Sequence, residues 1–100
     1  MIRAVGPTLA AFGITNPISD PRFELFRGST RVDQNDDWGG STDLHAKFEQ
    51  VGAFPLASPA SLDAVLIIWL EPAAYTVVVA GANDAKGVGL IEVYDISSGL

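Results

Sequence analysis

The stretch AVLIIWLEPAAYTVVVAGANDAKGVGLIEVY, residues 64–94, decides how this chain folds. It holds three apolar runs, 64–70, 75–81 and 87–94, rich in β-branched and aromatic residues. The turn segments 71–74 and 82–86 separate them. Runs of this length and composition predict strands, and their short connections predict antiparallel neighbours. Alternation is poor: AVLIIWL and TVVVA are apolar at successive positions. An antiparallel sheet with one wet face alternates instead. The pattern therefore predicts either strands buried on both faces within one chain or an outer face covered by another element or another copy. Val65, Ile67, Trp69 and Val78 in this stretch, with Ile2 near the start, are the candidate interface residues.

Working upstream, residues 41–51 carry the one good helix. Leu44, Phe48 and Val51 fall at i, i+4 and i+7. Ser41 or Thr42 can cap it, Asp43 suits the positive end of its dipole, and Gly52 ends it. FELFR (23–27) and residues 30–33 read as a hairpin turned at Gly28-Ser29. Residues 2–5 read as a strand stopped by Gly6-Pro7, and TLAAFG (8–13) as one helical turn or a loop. NDDWGG (35–40) favours turns and left-handed backbone. The expected fold class is all-β, an antiparallel β-sandwich with one short α-helix around 42–51, forming a single module over residues 1–100.

Composition narrows the function. Twelve Asp and Glu against six Lys and Arg give a net charge of −6, and the few cations are scattered. Nucleic-acid binding needs a basic face that displaces phosphate counterions, so no nucleic-acid partner is expected. Mean hydropathy is +0.27, but the longest apolar run is too short to span a membrane. MIRAVGPTL lacks the basic and apolar regions of a signal peptide, so any export signal is expected to lie outside this chain. There is no cysteine, which excludes disulfides and thiolate metal sites.

The acidic loop is the first candidate site. Asp33, Asn35 and Asp37 alternate, with Asp36 and Asp43 nearby, and a flexible Asp/Asn loop supplies the oxygen ligands that Ca²⁺ prefers. The loop departs from an EF-hand, because Trp38 stands where that motif needs Gly. Asp63 and Asp84 are further ligands only if the fold brings them close. The competing reading is a solvated turn that leads into the helix. Trp38 either stacks on a sugar ring or plugs one end of the sandwich. His45 lies four residues after Ser41, but a catalytic triad also needs a strained nucleophile turn and an oxyanion hole. His45 therefore reads as a helix-surface residue, and no catalytic residue is expected.

Four stretches, RAVGPTLAAFGIT (3–15), NDDWGG (35–40), FEQVGAFPL (48–56) and AYTVVVAGANDAKGVGLIEVYD (74–95), together resemble the β-sandwich repeat found in tandem in large secreted bacterial proteins. That repeat is similar to the bacterial pre-peptidase C-terminal domain, a jelly-roll-like sandwich. The resemblance implies an extracellular or cell-surface, non-enzymatic module, with calcium bound in some relatives. The chain departs from the pattern at Ala73, where Gly is usual, at Trp69, where the strand is usually more polar, and before the RAVGP motif, where the family unit carries further strand sequence. A unit lacking that edge strand is expected to pair or polymerise by sharing strands with other copies or adjacent repeats. The alternative is a carbohydrate- or protein-binding module on a secreted hydrolase, acting through Trp38 and the acidic loop.

Overall fold

The computed structural model of the chain describes residues 1–96. In chain order it contains β1 (Ile2–Val5), a 3₁₀ helix (Pro7–Phe12), β2 (Pro21–Arg27), β3 (Thr30–Asn35), α1 (Thr42–Val51), β4 (Ala64–Leu66), β5 (Thr76–Gly81), a second 3₁₀ turn (Ala82–Asp84) and β6 (Leu90–Val93). The strands form two three-stranded antiparallel sheets, ordered β4-β1-β6 and β3-β2-β5. The chain is thus mostly β with one short helix.

β1 lies at the centre because its two faces serve two cores. Ile2 and Ala4 join Ala64 of β4 and pack on Phe23 and Leu25 of β2. Val5 turns the other way and packs with Leu9, Trp38, Phe48, Leu56 and Val65. The sheet β4-β1-β6 is therefore covered on one face by the second sheet and on the other by α1 and the segment after it. Fully burying side chains such as Phe23, Leu25 and Phe48 contributes about 1.5–3 kcal/mol each.

The helix forms as its cap signals predict. Ser41 Oγ accepts from Leu44 N at 3.2 Å, and Gly52 ends it in the left-handed region at φ 74°. Phe48 is its fully buried residue. The 23–33 hairpin also forms, extended to 21–35, and the register shifts between Leu25 and Phe26 so that Val32 bulges out of the pairing. Gly6 is required by close approach: a Cβ there would lie 2.2 Å from Ile18 O.

The three apolar runs of 64–94 each contain a strand, but these strands are not neighbours. β4 and β6 flank β1, while β5 lies beside β2 in the other sheet. β4 is only Ala64–Leu66, ending where its register with β1 ends at Ile2↔Leu66. Residues 67–75 then cross between the sheets without regular structure. The short connections link sheets instead of closing hairpins, which is why proximity in sequence misleads here.

Candidate functional site

The polar group at the heart of the fold is Asp63, fully buried just before β4. Its Oδ1 accepts from Gly6 N at 2.7 Å and, more weakly, from Thr8 N at 3.4 Å. Its Oδ2 accepts from Thr8 Oγ1 at 2.6 Å and Ser61 Oγ at 2.8 Å. Its backbone carbonyl takes Trp38 N at 2.9 Å. With every lone pair committed, Asp63 is a brace that pins the Gly6-Pro7 corner to β4, not an outlying metal ligand.

Arg3 is the second buried charge. Its guanidinium lies over the rings of Phe48 and Phe54, 4.7 and 4.5 Å from their centroids. Nε donates to Glu92 Oε1 at 2.9 Å and Nη1 to Phe54 O at 2.8 Å. Nη2 also lies 2.9 Å from Glu92 Oε1, an ion-pair distance without hydrogen-bond alignment. Tyr94 Oη donates to Glu92 Oε2 at 2.5 Å. That hydrogen bond first, then burial and the Glu92 charge, raise the Tyr94 pKa above its ordinary value, with Arg3 opposing. The flat, fully charged Arg is suited to this slot between two rings.

The acidic loop is rearranged relative to the expected ligand set. Asp36 and Asp37 converge with Asp20, from the turn before β2, so that one carboxylate oxygen of each lies within 4.8 Å of the others. Asp20 Oδ1 is enclosed and accepts no hydrogen bond. Burial, then the charge and hydrogen bond of Asp36 and the charge of Asp37, hold the Asp20 carboxyl above its usual range. The other expected ligands are engaged elsewhere. Asn35 Oδ1 accepts from Val65 N at 2.9 Å, and Asp33 Oδ1 from Gln34 N at 2.8 Å. Asp43 lies in the first turn of α1, and Asp84 lies in the turn after β5 with φ 60°. Three mutually close carboxylates are oxygen donors of the kind a divalent cation takes.

Trp38 offers no face to a sugar. It is 6% exposed, stacked at a tilt on Phe48, and its Nε1 donates to Ser61 Oγ at 3.1 Å. It plugs the core, because the turn it belongs to folds over β4. Ser41 Oγ is occupied in capping α1, and His45 Nε2 lies 3.4 Å from Glu49 Oε1 on the helix surface.

The apolar candidates divide. Ile2 and Val65 are buried in the two cores, while Ile67, Trp69 and Val78 are exposed, Trp69 at 80%. Sequence reasoning did not single out Val79, Leu90, Ile91 and Val93, which join them on the surface, Val93 at 71%. A concavity of about 660 Å³ opens beside Ile67, Trp69 and Val93 but away from Val78 and Val79, its walls including Ile68, Leu70 and Tyr94 as well. Among the described residues no helix is long and apolar enough to cross a membrane. Comparison with protein-family models, with curated proteins and with solved structures finds no match to this chain.

Proposed function

We propose that this chain is a non-catalytic structural module, a jelly-roll-like β-sandwich that acts outside the cell or on its surface by packing against, or sharing strands with, other copies of itself or adjacent repeats. One observation carries the reading. The apolar side chains of 67–93 that the cores do not absorb, from Ile67 and Trp69 to Val78, Val79 and Val93, lie on the surface, not inside. Exposed apolar side chains gathered in one place, as Ile67, Trp69, Leu70 and Val93 are around the concavity, mark an interaction site. The extracellular setting is what the resemblance of the four motifs implies. The engagement of Ser41 and His45 within α1 supports a non-catalytic role.

Sedimentation velocity of the purified chain over a wide concentration range tests the reading. The expected result is a boundary that moves to larger mass as concentration rises, or a large species that survives dilution. A single monomer boundary at the highest concentration overturns it.

A further inference from the structure

Among the described residues the two sheets expose four edges, and three of them are blunted or unsuited to self-pairing. β3 carries Arg31 and Asp33 and is bent by the bulge at Val32. β4 is three residues long, and the amide of Val65, which points away from β1, is taken by the Asn35 side chain at 2.9 Å. Charge, bulging and shortness are the usual defences of an edge against pairing with another chain. β6 presents Ile91 and Val93, but Glu92 stands between them. A two-fold pairing of β6 with itself would bring the Arg3–Glu92 pairs of the two copies together at its axis, whereas β5 has no charged residue of its own there.

β5, TVVVAG, has no charge, no proline and no bulge. Its hydrogen-bonding phase can be read from the ladder. Ala82 N donates to Asp20 O at 2.8 Å, which marks Asp20 and Ala82 as a hydrogen-bonded pair in the register that continues through Arg22↔Ala80 and Glu24↔Val78. Bonded and non-bonded pairs alternate along an antiparallel ladder. The amides and carbonyls of Thr76, Val78 and Ala80 therefore face β2, and those of Val77 and Val79 face the open edge.

The geometry points to β5 as the strand through which two copies of this chain join, antiparallel, about a two-fold axis at Val78. This rests on the self-association reading and names its surface. In that register Val77 and Val79 of one copy exchange N–H···O bonds with Val79 and Val77 of the second. Val78 meets Val78 as a non-bonded pair, with Cα atoms about 4.5 Å apart and side chains in contact. On the inner face, Leu25–Val77 of one copy continues into Val79–Phe23 of the other, an unbroken apolar row across the joined sheets. A two-fold at Val79 would draw in Gly81, the last residue of the strand, where the chain already turns into the 3₁₀ segment Ala82–Asp84, and one at Val77 would draw in Tyr75, which lies outside the strand. Electrostatics also selects the site. Each copy has a net charge of −6, so close approach requires an uncharged strand, and Glu24 beside Val78 is already paired with Arg31 at 3.2 Å. The edge is self-complementary in donors, acceptors and shape, as an isologous interface must be.

The test is sedimentation of the full chain with substitutions at the axis. Val78→Glu and Val78→Lys, each alone, oppose like charges and are expected to weaken association by more than about tenfold. Mixing the two is expected to restore it, because a two-fold at residue 78 sets Glu directly against Lys. Val79→Pro removes a donor on the open side only and is expected to give a folded monomer by circular dichroism. The inference is overturned if the wild type associates, the mixture shows no rescue, and Val93→Glu or Trp69→Ser instead breaks the assembly; self-association then survives through another surface. Growth without limit that Val93→Glu abolishes overturns the two-fold in favour of β5 pairing with β6 head to tail. A wild type that never associates overturns both this inference and the reading beneath it.

Discussion

Thr8 and Asp63, fifty-five positions apart, are joined by a buried hydrogen bond of 2.6 Å from Thr8 Oγ1 to Asp63 Oδ2. The same hydroxyl accepts from Ala57 N at 2.8 Å, so one threonine links the 3₁₀ helix after β1 to the loop before β4. Asp63→Ala would strand the amide of Gly6 and two hydroxyls in a space closed to water. Losing bonds to a charged acceptor and leaving donors unsatisfied costs about 3 kcal/mol or more, a large share of the 5–15 kcal/mol typical of a domain. Asp63→Asn keeps one acceptor and should cost clearly less. Urea denaturation midpoints of the two variants check the order; an Ala variant as stable as wild type would remove Asp63 from this role.

The Arg3–Glu92 pair leads to a second expectation. Removing one member of a buried pair leaves the other charge uncompensated, at about 3–5 kcal/mol. Arg3→Met should therefore destabilise strongly. Arg3→Met with Glu92→Gln should recover much of the loss, since the apolar Met fits between Phe48 and Phe54. Arg3→Lys should behave as a disruptive change, because an ammonium cannot reach Glu92 and Phe54 O while stacking on two rings. A double-mutant cycle in denaturant measures the coupling, and strict additivity would contradict it.

The Asp20, Asp36 and Asp37 cluster has a pH signature of definite sign. The folded pKa of Asp20 is raised, so its contribution to stability is fully present below the unfolded aspartate value, near 3.9, and is lost as pH rises through the folded value. Near neutrality the cluster is therefore a source of repulsion. Asp20→Asn should raise the melting temperature at pH 7 and flatten its dependence on pH between 4 and 7. A calcium ion held by the three carboxylates would raise the wild-type melting temperature and leave Asp20→Asn less affected, with stabilisation of about 2.7 kcal/mol at a hundredfold excess over the dissociation constant. Melts with calcium and with chelator that coincide for the wild type would exclude the ion.

Local signals in the sequence were enough for the elements whose causes are local. Ser41 and Gly52 bracket α1, and the Gly28 turn makes the β2–β3 hairpin, because caps and turns depend on a few adjacent residues. Strand partners were not legible: β4, β5 and β6 follow one another closely yet lie in two sheets, since their pairing is set by β1 and β2. The acidic site was half legible. Asp36 and Asp37 stand in the loop that suggested it, but Asp20 comes from a turn that only the fold brings near. Arg3 gave no signal of burial, because a charge in a short strand ordinarily marks a wet face.

Trp38 and Trp69 allow the apolar surface to be watched directly. The indole of Trp38 is enclosed at 6% exposure, while that of Trp69 is 80% exposed beside the concavity. A dilute solution should show two emitting populations, a blue one shielded from acrylamide and a red one quenched freely. Trp69→Phe should leave only the shielded component, and Trp38→Phe only the accessible one, at some cost in stability through the lost contact with Ser61. Where copies pack over the Trp69 surface, the quenchable fraction should fall as concentration rises and its emission should shift to the blue. If instead self-association runs through the β5 edge alone, Trp69 should stay quenchable in the assembled form. Shielding of Trp69 already at the lowest concentration would mean that the segment 67–70 folds back onto its own chain, which removes the exposed surface on which the assembly reading stands.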